Sequence, residues 1–196
     1  MEYIDKLGDA LRTLQIKLHD IEQPWLVGGS CGLLMQGVPI AEAPKDLDLY
    51  ADPAGAKEIH GILAEYAIDE QVEDRSPIYY SLLSHYSING IKVELVGGFQ
   101  VTMRDSIYKV NAALLYDRYA MKYSLNAGEG YAPIKLMPLE HELIFNLLRE
   151  RPDRYEAIAK VMLNRNGGTT HALKELILQN SIDEALTDQI HRLLQR

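Results

Sequence analysis

Two features that would assign the chain to a particular class of protein are missing from it. It has a single cysteine, Cys31, so an internal disulfide framework is excluded. It has no apolar run long enough to cross a bilayer, and its first residues mix charged with apolar side chains, unlike a secretory signal. We therefore expect a cytoplasmic protein that does not associate with membranes.

Positive charge is also scarce. The 196 residues include 20 Lys and Arg against 28 Asp and Glu, which gives a net charge of −8. Broad affinity for nucleic-acid phosphates depends on clustered basic side chains, so this balance argues against general nucleic-acid binding. It does not exclude a small anionic ligand held by a few local donors. With 47% hydrophobic residues, the chain has enough apolar side chains to bury a core.

The first hundred residues alternate between helical and strand patterns. Helical spacing of apolar residues over 2–19 is followed by short predicted strands at 25–27 and 45–50. A hairpin is predicted over 78–96, because Asn89 and Gly90 at its centre favour a tight type I′ turn. The glycine pair at 97–98 is expected to end the hairpin.

The second half is predicted to become helical. The pattern over 99–135 is ambiguous, with a loop expected at Gly128 and Gly130. Four helices are then predicted, separated by proline, glycine and Asn-Ser breaks, over 139–149, 153–164, 169–179 and 182–194. We therefore predict an α+β fold. An α/β core with a mixed sheet would span residues 1–135, and a C-terminal helical subdomain would span residues 136–196.

A glycine turn lies between the first predicted strand and the helix that follows it. Gly28 and Gly29 would let the backbone approach a ligand closely, and Ser30 would add a hydroxyl group at the helix start. Free N–H groups at a helix start suit a phosphate. The same three residues are also compatible with an ordinary tight turn in which Ser30 is the helix N-cap.

Acidic residues stand at alternate positions of the second predicted strand. Asp46 and Asp48 would share one face, because side chains at i and i+2 of a strand point the same way. Two neighbouring carboxylates repel unless they are solvated or neutralised by a cation, for which Mg²⁺ with bound phosphates is suitable. The alternative is an edge strand with one solvated face.

A third carboxylate, Glu94, follows in the second strand of the predicted hairpin. Lys92 and Glu94 would share a face of that strand, with Val93 and Leu95 on the other. Glu94 is of interest only if its strand lies beside the strand of Asp46 and Asp48. The three acids would then be able to hold two divalent ions, an arrangement that supports phosphoryl transfer.

Taken in order, these segments resemble the nucleotidyltransferase superfamily, which has the fold of the DNA polymerase beta palm. The resemblance rests on WLVGGS at 25–30, KDLDL at 45–49 and VEL at 93–95, and it covers roughly residues 24–96. A looser similarity continues at 138–140. Small bacterial members, such as lincosamide-type antibiotic nucleotidyltransferases and abortive-infection toxins, have the most similar pattern.

The resemblance implies an activity and a role for each matching residue. It implies transfer of a nucleoside monophosphate from a nucleoside triphosphate to an acceptor hydroxyl, with release of pyrophosphate. Gly28, Gly29 and Ser30 would contact the phosphates, with Lys92 as the local cation. One or two Mg²⁺ ions would bind to the three carboxylates, Asp46, Asp48 and Glu94. Glu94, the third acid, would assist the second metal or act as a general base on the acceptor hydroxyl.

The chain also departs from the family pattern. Relatives often have a basic residue shortly before the acidic strand, where this chain has Glu42, and a lysine in the helical tail, near the position of Asn146. The donor would then be gripped through Arg149, Arg151 or Arg154, or the activity would be weak or absent. The alternatives are a non-catalytic module of this fold that binds a nucleotide or a protein, and an unrelated α/β interaction module. The acceptor, a small molecule or a macromolecule, is not specified by the sequence.

Overall fold

The computed structural model describes residues 2–125 and 131–195 as one mixed sheet covered by helices. The helices are α1 (Glu2–Lys17), α2 (Gly29–Met35), α3 (Pro53–Ile62), α4 (Ala112–Arg118), α5 (Leu139–Leu148), α6 (Pro152–Asn166), α7 (His171–Gln179) and α8 (Glu184–Leu194). The strands are β1 (Trp25–Gly28), β2 (Asp46–Ala51), β3 (Val72–Arg75), β4 (Tyr79–Ile88), β5 (Ile91–Met103), β6 (Ser106–Lys109), β7 (Met121–Tyr123) and β8 (Ile134–Leu136). Within this part of the chain no helix is long and apolar enough to span a membrane.

The sheet has the order β3-β4-β5-β2-β1-β8-β7, and β6 pairs with the end of β5. Strand β2 lies at its centre, antiparallel to β1 and parallel to β5. The other contact of β1 is with β8, which runs parallel to it. The mixed sheet and the α+β fold predicted from the sequence are therefore confirmed.

Each face of the sheet is covered by a separate set of helices. Alternate strand residues such as Leu47 and Leu95 pack with α1 and α3 in one buried core. The residues between them, such as Leu26 and Val96, pack with α5, α6, α7 and α8 in a second core. The period of two along each strand therefore decides which side chains face the helical tail.

Several local predictions are confirmed and two are wrong. The hairpin turns at Asn89 and Gly90, both of which have positive φ, and all four C-terminal helices form. The glycine pair at 97–98 does not end the hairpin, because β5 continues to Met103 and its last residues, 100–103, pair with β6. Gly28, rather than Ser30, is the N-cap of α2.

The structure does not test two further predictions. The loop expected at Gly128 and Gly130 lies outside the described residues. The division at residue 135 remains a prediction, and it falls within β8 (Ile134–Leu136), which is part of the sheet.

The close packing of α3 on β5 leaves no room for a side chain at Gly97. A Cβ atom on Gly97 would lie 2.5 Å from Cβ of Ala56 and 3.3 Å from Cβ of Leu82. We predict that Gly97→Ala lowers the free energy of unfolding by about 1–3 kcal/mol, because the helix must move away from the strand. Urea denaturation followed by circular dichroism measures this change.

The matched control is Gly61→Ala in the last turn of α3. No heavy atom lies within 4 Å of a Cβ placed on Gly61, so the extra methyl group is expected to raise helix stability by about 0.5–1 kcal/mol. Equal midpoints for the two variants would contradict the packing argument.

Candidate active site

The two aspartates of β2 lie on the face of the sheet that the helical tail covers. Asp46 and Asp48 are partly buried, and Leu47 and Leu49 between and after them are fully buried in the core on the opposite face. Burial of the two leucines fixes which way the strand faces, and the aspartates follow from the alternation. Both carboxylates line a cavity of about 320 Å³ between the sheet and the helical tail.

The parallel pairing of β2 with β5 brings the third acid to the same place. Asp48 is the register partner of Glu94, and Asp46 is the partner of Lys92. On its other side Asp48 is paired with Gly28 of β1. The structure therefore brings together the predicted residues Asp46, Asp48 and Glu94, and all three line the cavity with Gly29 and Ser30.

The clustered carboxylates repel one another. Burial raises the pKa of Asp48 to about 8, and the charges of Asp46, Glu94 and Glu142 add to this effect. The pKa of Asp46 is also raised, first by burial and then by Glu94. This arrangement places negative charge in the cavity that the neighbouring residues do not fully compensate.

The glycine turn packs directly against these acids. Gly29 has a φ of +60°, and a Cβ atom there would lie 1.9 Å from Oδ2 of Asp48, so a side chain at this position is excluded. The N–H group of Gly29 donates a hydrogen bond of 2.8 Å to Oε1 of Glu142. Gly28 does not line the cavity, and its role is to let β1 pass close to Tyr50.

Glu142 on α5 is a site residue that the sequence analysis missed. It is 1% exposed, and burial raises its pKa to about 7, partly countered by the Gly29 N–H group. The amide of Asn146, one turn later, donates to the backbone oxygen of Glu142 at 2.8 Å. The similarity noted at 138–140 points to Glu140 instead, which lies outside the cavity and accepts a hydrogen bond from Thr170. The sequence signal that could have indicated Glu142 is its spacing of four residues from Asn146 on an otherwise apolar helix.

Lys92 lies beside the acids but not among the residues that line the cavity. Its ammonium group is 2.6 Å from Oε1 of Glu94, and its side chain is 47% exposed. The ring of His85 contacts Glu94 from the neighbouring strand, with its Nε2 atom 3.5 Å from Oε1, and its Nδ1 atom contacts the carboxylate of Asp69. Glu94 is therefore held in place by two side chains outside the cavity.

Three arginines line the opposite wall of the cavity. Arg149 caps the C-terminal end of α5, and Arg151 and Arg154 lie at the start of α6. Apart from Glu142 on α5, the acids of the cavity belong to the sheet, and its arginines belong to the helical tail. The cavity therefore offers carboxylates and guanidinium groups to the same ligand.

The donor set fits Mg²⁺ that arrives with a phosphate ligand. Among residues 2–125 and 131–195, no three His, Cys, Asp or Glu side chains stand close enough to hold a metal ion by themselves. Magnesium in proteins is usually bound by one or two carboxylates, with substrate phosphates and water completing the octahedron. Asp46 and Asp48 supply such a pair, and the raised pKa of Asp48 marks a charge that a cation would neutralise.

The raised pKa of Asp48 predicts an unusual pH dependence of stability in the absence of metal. Between about pH 4 and pH 8 the folded chain binds this proton more tightly than the unfolded chain does, so stability falls as pH rises. Asp48→Asn removes this loss of stability, because an asparagine side chain does not ionise. In EDTA we expect the stability of the variant relative to the wild type to grow by about 2 kcal/mol or more between pH 4 and pH 8, measured by urea denaturation.

Asp105→Asn is the control, because Asp105 is exposed in the turn between β5 and β6. Its stability profile should follow the wild type across the same range. Parallel profiles for Asp48→Asn and the wild type would show that Asp48 is not destabilised when ionised.

Several solved structures are similar to this chain to different degrees. A protein from Thermotoga maritima assigned to the nucleotidyltransferases superposes with a TM-score of 0.61 and 26% identity, covering 84% of this chain and 94% of that one. The antibiotic-resistance factor ANT(2'')-Ia superposes with a TM-score of 0.50 and 10% identity, covering 91% and 92%. The lincosamide adenylyltransferase LnuA gives a TM-score of 0.46 and 8% identity, covering 78% and 96%.

One half of the sequence matches a family model. No curated protein matches the chain. The model of the aminoglycoside-2''-adenylyltransferases matches residues 10–107, a range that runs from α1 to β6 and contains the three carboxylates and the glycine turn. The superfamily resemblance seen in the sequence is thereby confirmed, and the chain belongs to the aminoglycoside-2''-adenylyltransferase family of nucleotidyltransferases.

Proposed function

We propose that the chain is a Mg²⁺-dependent nucleotidyltransferase that moves a nucleoside monophosphate from a nucleoside triphosphate to an acceptor hydroxyl group. The observation that carries this proposal is the register of β2 and β5, which sets Asp48 beside Glu94 and turns both toward one cavity. Membership of an adenylyltransferase family supports adenosine triphosphate as the first donor to test.

In this proposal each group of the cavity has a chemical task. Asp46 and Asp48 would hold Mg²⁺, which when bound neutralises charge on the donor phosphates. Glu94, held by Lys92 and His85, would accept the proton of the acceptor hydroxyl. The acceptor oxygen forms a bond to the α-phosphorus, the bond to the β-phosphate oxygen breaks, and pyrophosphate leaves with that electron pair.

The wall formed by the sheet is suited to the acceptor. Asp74 on the exposed edge strand β3 lines the cavity, as does Tyr79, whose ring stacks on Phe99 with centroids 5.9 Å apart. Carboxylates beside an aromatic surface suit an amine-bearing sugar ring, which agrees with the acceptor in the family's name. We propose an amine-bearing sugar hydroxyl as the acceptor.

One observation favours a second candidate, a module that binds a nucleotide without turning it over. The N–H group of Gly29, which the sequence predicts to contact phosphate, already donates to Glu142. If Glu142 keeps this hydrogen bond in the complex, a donor phosphate loses that contact. Turnover separates the two candidates.

The test is pyrophosphate release from each nucleoside triphosphate with Mg²⁺ and a panel of aminoglycosides and lincosamides. We expect release that depends on both metal and acceptor, and a loss of at least 100-fold in kcat/KM for Asp46→Asn and for Asp48→Asn, because each removes a carboxylate from the metal pair. Transfer of the nucleotidyl group is verified by the mass of the modified acceptor.

Asp105→Asn serves again as the control, since its carboxylate is exposed and does not line the cavity. It should retain wild-type kcat/KM. Activity that survives in Asp46→Asn combined with Asp48→Asn would refute the mechanism, and nucleotide binding without turnover on the whole panel would favour the binding module.

A further inference from the structure

The turn between α5 and α6 brings three guanidinium groups to one end of the cavity. The chain reverses here through Glu150, which has a φ of +53°, and Arg149 and Arg151 stand on either side of it. Arg154 lies in the first turn of α6. All three side chains line the cavity that also contains Asp48. We call Arg149, Arg151 and Arg154 the arginine corner.

One buried nitrogen of Arg154 has no hydrogen-bond acceptor among the described residues. Its side chain is 13% exposed, and its Nη1 atom is buried without a hydrogen-bond partner among the described residues. Its Nε atom lies 3.5 Å from Oδ2 of Asp153, so that carboxylate compensates one side of the guanidinium group only. A buried cationic donor without an acceptor is costly, and an anionic ligand in the cavity would remove this cost.

Arg149 is a second cation whose guanidinium group has no direct hydrogen-bond acceptor among the described residues. Within residues 2–125 and 131–195 its guanidinium group makes no hydrogen bond or ion pair, and it lies over the ring of Phe145 at 4.8 Å from the centroid. It is near enough to the acids to lower the pKa of both Asp48 and Glu142. Arg151, in contrast, forms a two-pronged pair with Asp153 at 3.0 and 2.9 Å.

The glycine turn is poorly suited to carry the phosphate charge by itself. Its Gly29 N–H group is used by Glu142, and the carboxylate of Asp48 packs against the same residue. A polyphosphate there would meet two carboxylates and few free donors. The arginine corner offers the opposite charge and unpaired N–H groups on the facing wall of the same cavity.

We propose that Arg149 and Arg154 form the binding site for the terminal diphosphate of the donor nucleotide, and that this site also holds the pyrophosphate product. This inference rests on the proposed function, because it places the leaving group of that reaction. It also predicts that the helical tail, and not only the family-matched half, determines donor affinity.

The test measures binding without turnover, by isothermal titration calorimetry of the full chain with inorganic pyrophosphate in EDTA. Omitting metal keeps the carboxylates of β2 from contributing an attractive contact. We expect Arg154→Gln and Arg149→Gln each to weaken pyrophosphate binding at least tenfold, since each removes charge-assisted hydrogen bonds. Adenosine monophosphate, titrated in parallel, should change by less than twofold.

Arg12→Gln is the matched control, with the same change of charge on α1, beneath the opposite face of the sheet. Its affinity for pyrophosphate should equal that of the wild type. Arg154→Lys is a second variant that keeps the charge but loses the planar donors, and it should bind more weakly than the wild type. Urea midpoints identify any variant that fails to fold, in which case Arg149→Gln decides.

The outcomes separate this inference from the proposed function. Pyrophosphate binding that depends on the arginines supports the arginine corner even if no acceptor is modified. Failure to modify any acceptor would overturn only the transferase proposal. Equal pyrophosphate affinity in the wild type and both glutamine variants, or no binding to the wild type, overturns the corner whatever the transfer assay gives. Equal losses for adenosine monophosphate and pyrophosphate would overturn the assignment to the terminal phosphates.

Discussion

The mutual repulsion of carboxylates around Asp48 is the constraint on which this cavity depends. Asp48 has Glu94 beside it on β5, Gly28 beside it on β1, and Gly29 packed against its own carboxylate. Strand pairing enforces this crowding, because a slip of β2 by one residue would turn Leu47 and Leu49 out of their core. The raised pKa of Asp48 reports the cost of that arrangement in the absence of ligands.

The opposing wall balances part of that charge. Glu142 ties α5 to the glycine turn through one hydrogen bond, and Arg149 at the end of the same helix offsets the negative charge. Because the helical tail shares a buried core with the sheet, the positions of these side chains are set by apolar packing rather than by the charges themselves. Packing energy therefore holds a polar cavity open between two surfaces of opposite sign.

The parts that could be predicted from the sequence are those fixed by short-range rules. Alternation along β2 predicts the shared face of Asp46 and Asp48, and the Asn89-Gly90 turn predicts the hairpin that includes Glu94. The sequence does not predict that β2 pairs with β5, because no local pattern specifies which strands become neighbours. The role of Glu94 therefore depends on a pairing that only the structure gives. Glu142 was missed for the same reason: its partner Gly29 lies more than a hundred residues away, and only tertiary packing joins them.

The cavity is assembled from two distant stretches of chain, and this has a consequence for how members of the family diverge. The matched segment, 10–107, contains the carboxylates, whereas Glu142 and the arginine corner lie in the half that the family model does not match. Under the proposed function, substitutions in α5 and α6 would change which ligand is retained while the carboxylates of the sheet stay in place. Two relatives would then share one reaction and act on different molecules, because the carboxylates of the sheet and the side chains of α5 and α6 can change independently.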